Sequence, residues 1–574
     1  MRIKKLSGVV FKKENSIFVS FFLGVIIFLF IYGLEPLRYT GVGWMVSGFG
    51  GSDITQHQTG WEFYRHSPWT FPLCKALYLG YPAGTAISYT DSIPVVALLF
   101  KLISPLLPET FQYFGLYTCF CFGLQGLFAA ALLRRFTKYE LFSIVGSVSF
   151  VTASCFLERC FRHTALSSHW LLLVAMLLYF KRKQNPLFKH RYMYWVVLLC
   201  LAIGIHPYLF AMCFGVFLVF TVEDIVFGDE RKKVAIKFAA VVFAVIIFGF
   251  ALGLFSSDVE SAHGFGIYSL NLNAIFNPHT HYFIQWSSAV EERPIYGGQT
   301  DGIYYVGLFM NVVFVLSVFI FVLSGSQNIR RILKKYASFI ALLTVYTVFA
   351  LSNTVTFDDH IIFRYFLPDF IVDKVNIFRA SGRFFFIPYY SIFLFSLVTL
   401  YRVMYGKWVA VISAAVLVLI QTMEINPGIK ELRAYFAERK EPLYFSNDWN
   451  ELAQNYEIAM TFDCLTDRTL AFWLAQKDFR TNMMITAPVH MNAYWENTKE
   501  YRNRLKDGLE QGTWELDKDT IYLISEDTGQ NCTFRDETEL MSYINTVKEN
   551  YRNSAGVIYL TDWIKNYWII VPHQ

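Results

Sequence analysis

Charged side chains are scarce in this sequence: Asp, Glu, Lys and Arg make up 17% of its 574 residues, against roughly a quarter in an ordinary soluble domain. That scarcity excludes a disordered chain and most soluble enzymes. Cysteine is sparse too. Cys74, Cys119, Cys121, Cys155, Cys160, Cys200, Cys213, Cys464 and Cys532 lack the paired spacing of a zinc site and mostly fall in apolar runs, as small core residues do. There is no internal repeat, no low-complexity tract, and no Lys/Arg-rich face interleaved with aromatics, so nucleic-acid binding is set aside. The Gly-rich YGGQTDG at 296–302 lacks the Lys-Ser/Thr of a P-loop and reads as a turn and N-cap, through Asp301, before an apolar run.

What the chain has instead is apolar bulk: 55% hydrophobic residues, with 57 Phe, 35 Tyr and 13 Trp. After a basic amino end (MRIKK, FKKEN), residues 16–34 form an apolar run of about a span's length with no small-x-small cleavage site, which predicts an uncleaved first transmembrane helix. Ten more runs lie near 112–133, 141–157, 168–180, 193–206, 207–224, 237–255, 302–324, 337–352, 384–402 and 408–423. Basic clusters occupy alternate connections: Arg134, Arg135 and Lys138; Lys181 to Lys183 with Lys189 and Arg191; Arg231 to Lys233; Arg330, Arg331, Lys334 and Lys335; Arg402 and Lys407. The positive-inside rule puts these in the cytoplasm with the amino terminus. The alternation closes only if 92–107, which contains Lys101 and Pro105, does not cross and is a half-helix at the outer face.

The expected architecture is an all-α polytopic membrane protein of about 11 transmembrane helices over residues 1–424, with a large first outer loop at about 35–110. A C-terminal extracytoplasmic α/β or α+β domain follows at 425–574. That last stretch carries 16 Lys+Arg against 23 Asp+Glu, whereas the remainder is basic, as suits an acidic appendage outside a multi-pass bacterial plasma (inner) membrane protein. Its Cys464 and Cys532 could pair if it faces an oxidising compartment, with two unpaired thiols the plainer alternative, and Asn531 to Thr533 form a weak glycosylation triplet. Trp473, Trp495, Trp514 and Trp563 could stack on sugars, with core packing the better reading.

The polar chemistry gathers in the outer loops. GGSDITQHQTGWEFYRHSPWTFPL, residues 50–73, holds Asp53, His57, Arg65 and His66. If helical, it sets Asp53 and His57 on one face. Asp53 would accept a proton from an acceptor hydroxyl or bind a cation, and an N-cap is the plainer alternative. Asp91 reads as a cap of the half-helix. Glu158, Arg159, Arg162 and His163 share the second outer loop, where an internal Glu-Arg pair is the rival reading. Arg379 and Arg383, in FRASGRFFF, enter the tenth span, where a phosphate would satisfy them and snorkelling is the alternative. Glu291 and Glu292 form a weaker acidic element, and His206-Pro207 marks a hairpin apex.

Together GGSDITQHQTGWEFYRHSPW, YTDSIP, HTALSSHW, GIHPYLF and FRASGRFFF resemble an uncharacterised bacterial membrane protein family that is itself similar to the GT-C glycosyltransferases. The resemblance covers about residues 15–400. It implies an inverting-type transferase that moves a sugar from a polyprenyl-phosphate donor to a glycan, lipid or protein acceptor at the outer face. Asp53 would match the essential first-loop acid and Glu158, more loosely, a second. No WWDYG-like motif and no HPP element is present, so donor and acceptor do not carry over. In the implied mechanism Arg379 and Arg383 hold the lipid phosphate, and Asp53, supported by His57, deprotonates the acceptor. Two acids would suit Mg2+ or Mn2+, and the basic groups could neutralise the phosphate without one. The alternatives are a flippase or transporter of a lipid-linked glycan, which would need a polar path through spans that are nearly all Phe, Leu, Val and Ile, and a glycan polymerase or ligase.

Overall fold

The computed structural model describes residues 15–46, 53–186, 188–228, 230–255, 264–279, 285–440, 445–465, 467–486, 488–530, 532–561 and 565–573. The chain is mostly helical and folds as two compact units. Residues 1–39, 113–247 and 261–439 form the first; 40–112, 248–260 and 440–574 form the second.

An apolar helix stands at each of the eleven expected runs: α1 Asn15–Tyr32, α2 Phe114–Leu133, α3 Glu140–Val151, α4 Trp170–Gln184, α5 Arg191–Ile205, α6 Pro207–Phe227, α7 Arg231–Leu252, α8 Leu308–Leu323, α9 Ser326–Leu351, α10 Phe386–Val403 and α11 Lys407–Glu424. Among the described residues seven helices are long and apolar enough to cross a membrane, counting the lead-in turns of α4 and α10; α1, α3, α5 and α8 are apolar but shorter. The segment expected as a half-helix is a nine-residue helix, Pro94–Leu102, followed by the turn Ser104–Leu106, too short to cross.

Small residues let α1 and α2 approach backbone to backbone. A Cβ at Gly24 would stand 2.2 Å from Phe122 O, and one at Gly126 2.4 Å from Ser20 O. Ser20 and Gly24 are one turn apart, the small-xxx-small spacing that packs helices in lipid. At one end of this unit the basic segments converge. Gln184 Nε2 donates to Arg135 O (2.7 Å) and Lys138 N to the Tyr401 hydroxyl (3.0 Å); Phe180 packs on Phe136 (5.1 Å) and on Tyr336 (5.8 Å). Buried there, Arg182 pairs with Glu223 and with Asp224 (2.6 Å), and Arg191 with Asp224 (3.0 Å), so these charges meet partners rather than lipid.

The expected boundary at 424 moves. Helix Asn426–Ala437 extends the first unit because Leu432 and Phe436 are buried, Phe436 against Tyr32 (5.6 Å) and Phe161 (5.5 Å). The long first connection groups with the C-terminal segment: Tyr81 N donates to Thr481 O (2.8 Å) and Thr481 N to Tyr78 O (2.9 Å). The second unit is built on a five-stranded sheet of β1 Ile458–Thr461, β2 Arg480–Thr481, β3 Thr520–Ser525, β4 Ala555–Thr561 and β5 Asn566–Pro572, in the order β2-β1-β3-β5-β4. β1 runs parallel to both neighbours; β5 is antiparallel to β3 and β4. Trp473 and Trp495 are buried in this unit and Trp514 packs on its core, as ordinary packing predicts. Cys464 and Cys532 are exposed free thiols rather than a pair. Asn531 and Trp563 lie outside the described residues.

Candidate functional site

In the second unit the expected helix forms as Asp53–His66, with residues 54–64 all buried. Gly60 makes this possible, since a Cβ there would fall 2.1 Å from Thr90 Oγ1 and 2.5 Å from Ser92 Oγ. Ser92 Oγ donates to His57 O (2.7 Å), while Trp61 Nε1 and Gln58 Nε2 both donate to Phe111 O (3.0 Å each). Lys101 closes the carboxyl end by donating to Tyr64 O (2.7 Å) and Ser67 O (2.8 Å), the favoured place for a cation on a helix. Burial pushes its pKa down to about 8.

Asp53 is the first helical residue, in the turn where a carboxylate suits the helix dipole. Its side chain is 35% exposed, and Arg468 Nη1 donates to Asp53 Oδ1 at 3.3 Å while Arg468 Nη2 reaches Gln56 Oε1 at 3.4 Å. Arg468 opens helix Arg468–Gln476, whose amino end is capped by Asp467 through Thr469 N (2.8 Å) and Leu470 N (3.1 Å). At the far end of the same two helices His66 Nδ1 meets Asp478 and His66 Nε2 lies 3.8 Å from Glu62. The two helices are therefore pinned side by side at both ends. The sequence reading missed Arg468 and Asp478; only the Asp-cap signal of TDRTLAFW marked a helix start there.

His57 is fully buried. Its Nε2 lies 3.5 Å from Asp91 Oδ2, yet burial, with Arg468 adding to it, lowers its pKa to about 3, so the ring is neutral. Asp91 is not the expected cap: the helix Pro94–Leu102 has Ile93 at its N-cap, and Asp91, with φ 59°, turns its carboxylate toward His57. Arg65 is structural, donating to Ser104 Oγ (3.0 Å), Pro108 O (2.6 Å) and Glu109 O (2.7 Å).

The remaining expected residues belong to the first unit. Glu158 accepts from Arg162 Nη1 and Trp286 Nε1, each at 2.5 Å, which is the internal pair of the rival reading. Asp301 is not an N-cap. It sits in the turn Gln299–Gly302, only 13% exposed, clamped by Arg159 and by Arg383 Nη2 (2.9 Å). Burial alone would raise its pKa, but Arg383, Arg159 and His163 outweigh that and hold it well below the usual carboxylate range. The amino end of α8, which Asp301 was expected to serve, is held by Glu424, which accepts from Leu308 N (2.9 Å) and Ser287 Oγ (2.8 Å). Arg379 lies over the Tyr268 ring at 5.5 Å and meets no carboxylate among the described residues. Glu292 pairs with His279, and His206 caps α6 through Tyr208 N (3.2 Å).

No group of three His, Cys, Asp or Glu side chains comes together among the described residues. Asp53 has a guanidinium beside it, which disfavours a divalent cation at that carboxylate. Among the described residues the donor set does not fit a metal.

A family model described as Domain of unknown function (DUF6311) matches residues 21–426. The chain belongs to the DUF6311 family. Asp53, Glu158, Asp301, Arg379 and Arg383 fall inside the matched range, whereas Arg468 and Asp478, which pin the Asp53 helix, fall beyond it. No curated protein matches this DUF6311 chain.

Proposed function

We propose that this DUF6311 protein is a GT-C-like membrane glycosyltransferase with eleven spans. It moves a sugar from a polyprenyl-phosphate donor to a glycan, lipid or protein acceptor at the outer face of a bacterial plasma membrane. The convergence of basic segments at one end of the first unit supports a cytoplasmic end there, with the amino terminus inside and the C-terminal domain outside. The observation that carries the reading is the state of Asp53: a partly exposed carboxylate, oriented by Arg468, at the start of a helix whose residues 54–64 are all buried. In this reading the acceptor hydroxyl oxygen attacks the anomeric carbon and the bond from that carbon to the phosphate oxygen breaks. The electron pair leaves with polyprenyl phosphate, and the hydroxyl proton passes to Asp53. In the first unit Arg379, without a carboxylate partner among the described residues, is available to an anion such as a phosphate, since Arg383 is already committed to Asp301.

The test is transfer from radiolabelled polyprenyl-phosphate sugars by the purified full-length protein, comparing wild type with Asp53→Asn and Arg379→Ala. Loss of transfer in Asp53→Asn with an unchanged melting profile supports the reading; full turnover in that variant removes Asp53 from the mechanism. Lipid binding without turnover, indifferent to Asp53, moves the assignment to a carrier of lipid-linked glycans.

A further inference from the structure

β4, residues Ala555–Thr561, is an edge strand: it pairs with β5 alone, in unbroken register from Ala555↔Pro572 to Thr561↔Asn566. Natural edges are normally blunted by a lysine, a proline or a bulge, because one row of backbone N–H and C=O groups is left open to another strand. AGVIYLT contains none of these. Beside this edge runs a groove of about 810 Å³ between helix Asn447–Asn455 and the outer strands, with Gly556, Ile558, Leu560 and Val571 on its floor, within the size range of specific binding sites. A Cβ at Gly556 would meet nothing within 4 Å, so the floor is open.

The helical wall is acidic. Asp448 and Glu451, one turn apart, are exposed and line the groove, and neither has a cationic partner among the described residues. Trp449 Nε1 of that helix donates to Thr561 O at the end of β4 (2.9 Å); the rest of the edge, lying alongside the helix, has the geometry that accepts an extended peptide, with backbone bonds giving affinity and side-chain positions giving selectivity. The wall selects the sign of charge. A second copy of this chain, paired on the same edge, would bring the same two carboxylates against themselves, and residues 425–574 are net acidic, with 16 Lys+Arg against 23 Asp+Glu. We propose that the groove binds an extended cationic polypeptide segment as a sixth strand on β4, apolar side chains alternating down onto Ile558 and Leu560 while basic ones reach Asp448 and Glu451. This is independent of the transfer reaction.

The probe is a fluorescent peptide of five Lys-Val repeats, with five Glu-Val repeats as its counterpart, measured by anisotropy against the full-length protein in detergent. The Lys-Val peptide is expected to bind and the Glu-Val peptide not to. Gly556→Trp, which fills the groove without changing charge, is expected to weaken binding about tenfold or more at an unchanged melting temperature. Asp448→Asn with Glu451→Gln is expected to weaken it severalfold. Equal binding to wild type and Gly556→Trp would reduce the effect to diffuse charge and overturn the proposal, as would no binding at all. Dimerisation of the unliganded protein that Gly556→Trp abolishes would replace the peptide with a second copy. A neutral oligosaccharide that competes with the peptide in wild type only would make the groove a glycan site.

Discussion

Asp53 and Asp301 are both aspartates held by arginine, and they differ in what surrounds the pair. Asp301 is 13% exposed and shares its two oxygens between Arg159 and Arg383; Asp53 is 35% exposed and meets Arg468 at 3.3 Å. The enclosed carboxylate is the counter-charge shared by two largely enclosed guanidinium groups, so its removal leaves both without compensation in a poorly solvated site. The open one can be removed with water taking its place. An aspartate that structure depends on and one available for chemistry are told apart by that difference, which is one of burial. The largest effect expected is accordingly on Asp301. Asp301→Asn should cost about 3–5 kcal/mol of stability, seen as a large fall in melting temperature in detergent, and Arg383→Ala should lower it less, because Arg159 and Asp301 remain a one-to-one pair. A melting profile unchanged in both would show the clamp to be dispensable.

A second contrast lies within the Asp53 helix itself, between two buried groups whose pKa values move oppositely. Burial raises Glu62 to about 7, against the lowering pull of His66, Arg65 and Gln58, while burial lowers His57 to about 3. For Glu62 the folded state keeps a proton that the unfolded chain releases near 4.5, so its contribution to stability is full below that pH and is lost as pH rises through about 7. For His57 the unfolded chain takes up a proton near 6.5 that the folded state refuses until about 3, so stability is lost as pH falls through that window. Between about pH 4.5 and 6.5 the two oppose one another. Glu62→Gln should leave a melting temperature that rises with pH there, and His57→Gln one that falls. The Glu62 effect should be on the order of 2–3 kcal/mol between the ends of its window. Slopes of the same sign in both variants would refute the assignment.

The sequence disclosed these differences unevenly. The eleven apolar helices were legible because a run of Phe, Leu, Val and Ile is its own signal, and the short helix Pro94–Leu102 was legible because the basic clusters alternate only if it stays on one side. The helix from Asp53 was legible from spacing. What its residues touch was not, because Arg468 and Asp478 lie more than 400 positions away and a long-range ion pair leaves no local pattern. Asp301 was mistaken for a cap since Gly-Gln-Thr-Asp-Gly has turn chemistry; the two arginines that claim it come from separate connections. The division into units was hidden for the same reason: backbone bonds such as Tyr81 N to Thr481 O join stretches that composition assigns to different domains.

The smallest expected effect sharpens the comparison most. Asp53→Asn and Arg468→Gln should each change stability by no more than about 1 kcal/mol, and their coupling in a double-mutant cycle should be about 0.2–1 kcal/mol, because an ion pair this exposed gains little over water. Solvent screening makes the coupling fall further in high salt, while the cost of Asp301→Asn should persist there. If Asp53 and Arg468 instead coupled as strongly as a buried pair, Asp53 would be a second structural clamp, its exposure would no longer mark it as reactive, and loss of activity in Asp53→Asn would follow from misfolding. Weak, salt-sensitive coupling together with lost transfer is the combination that a reactive carboxylate requires and a structural one does not produce.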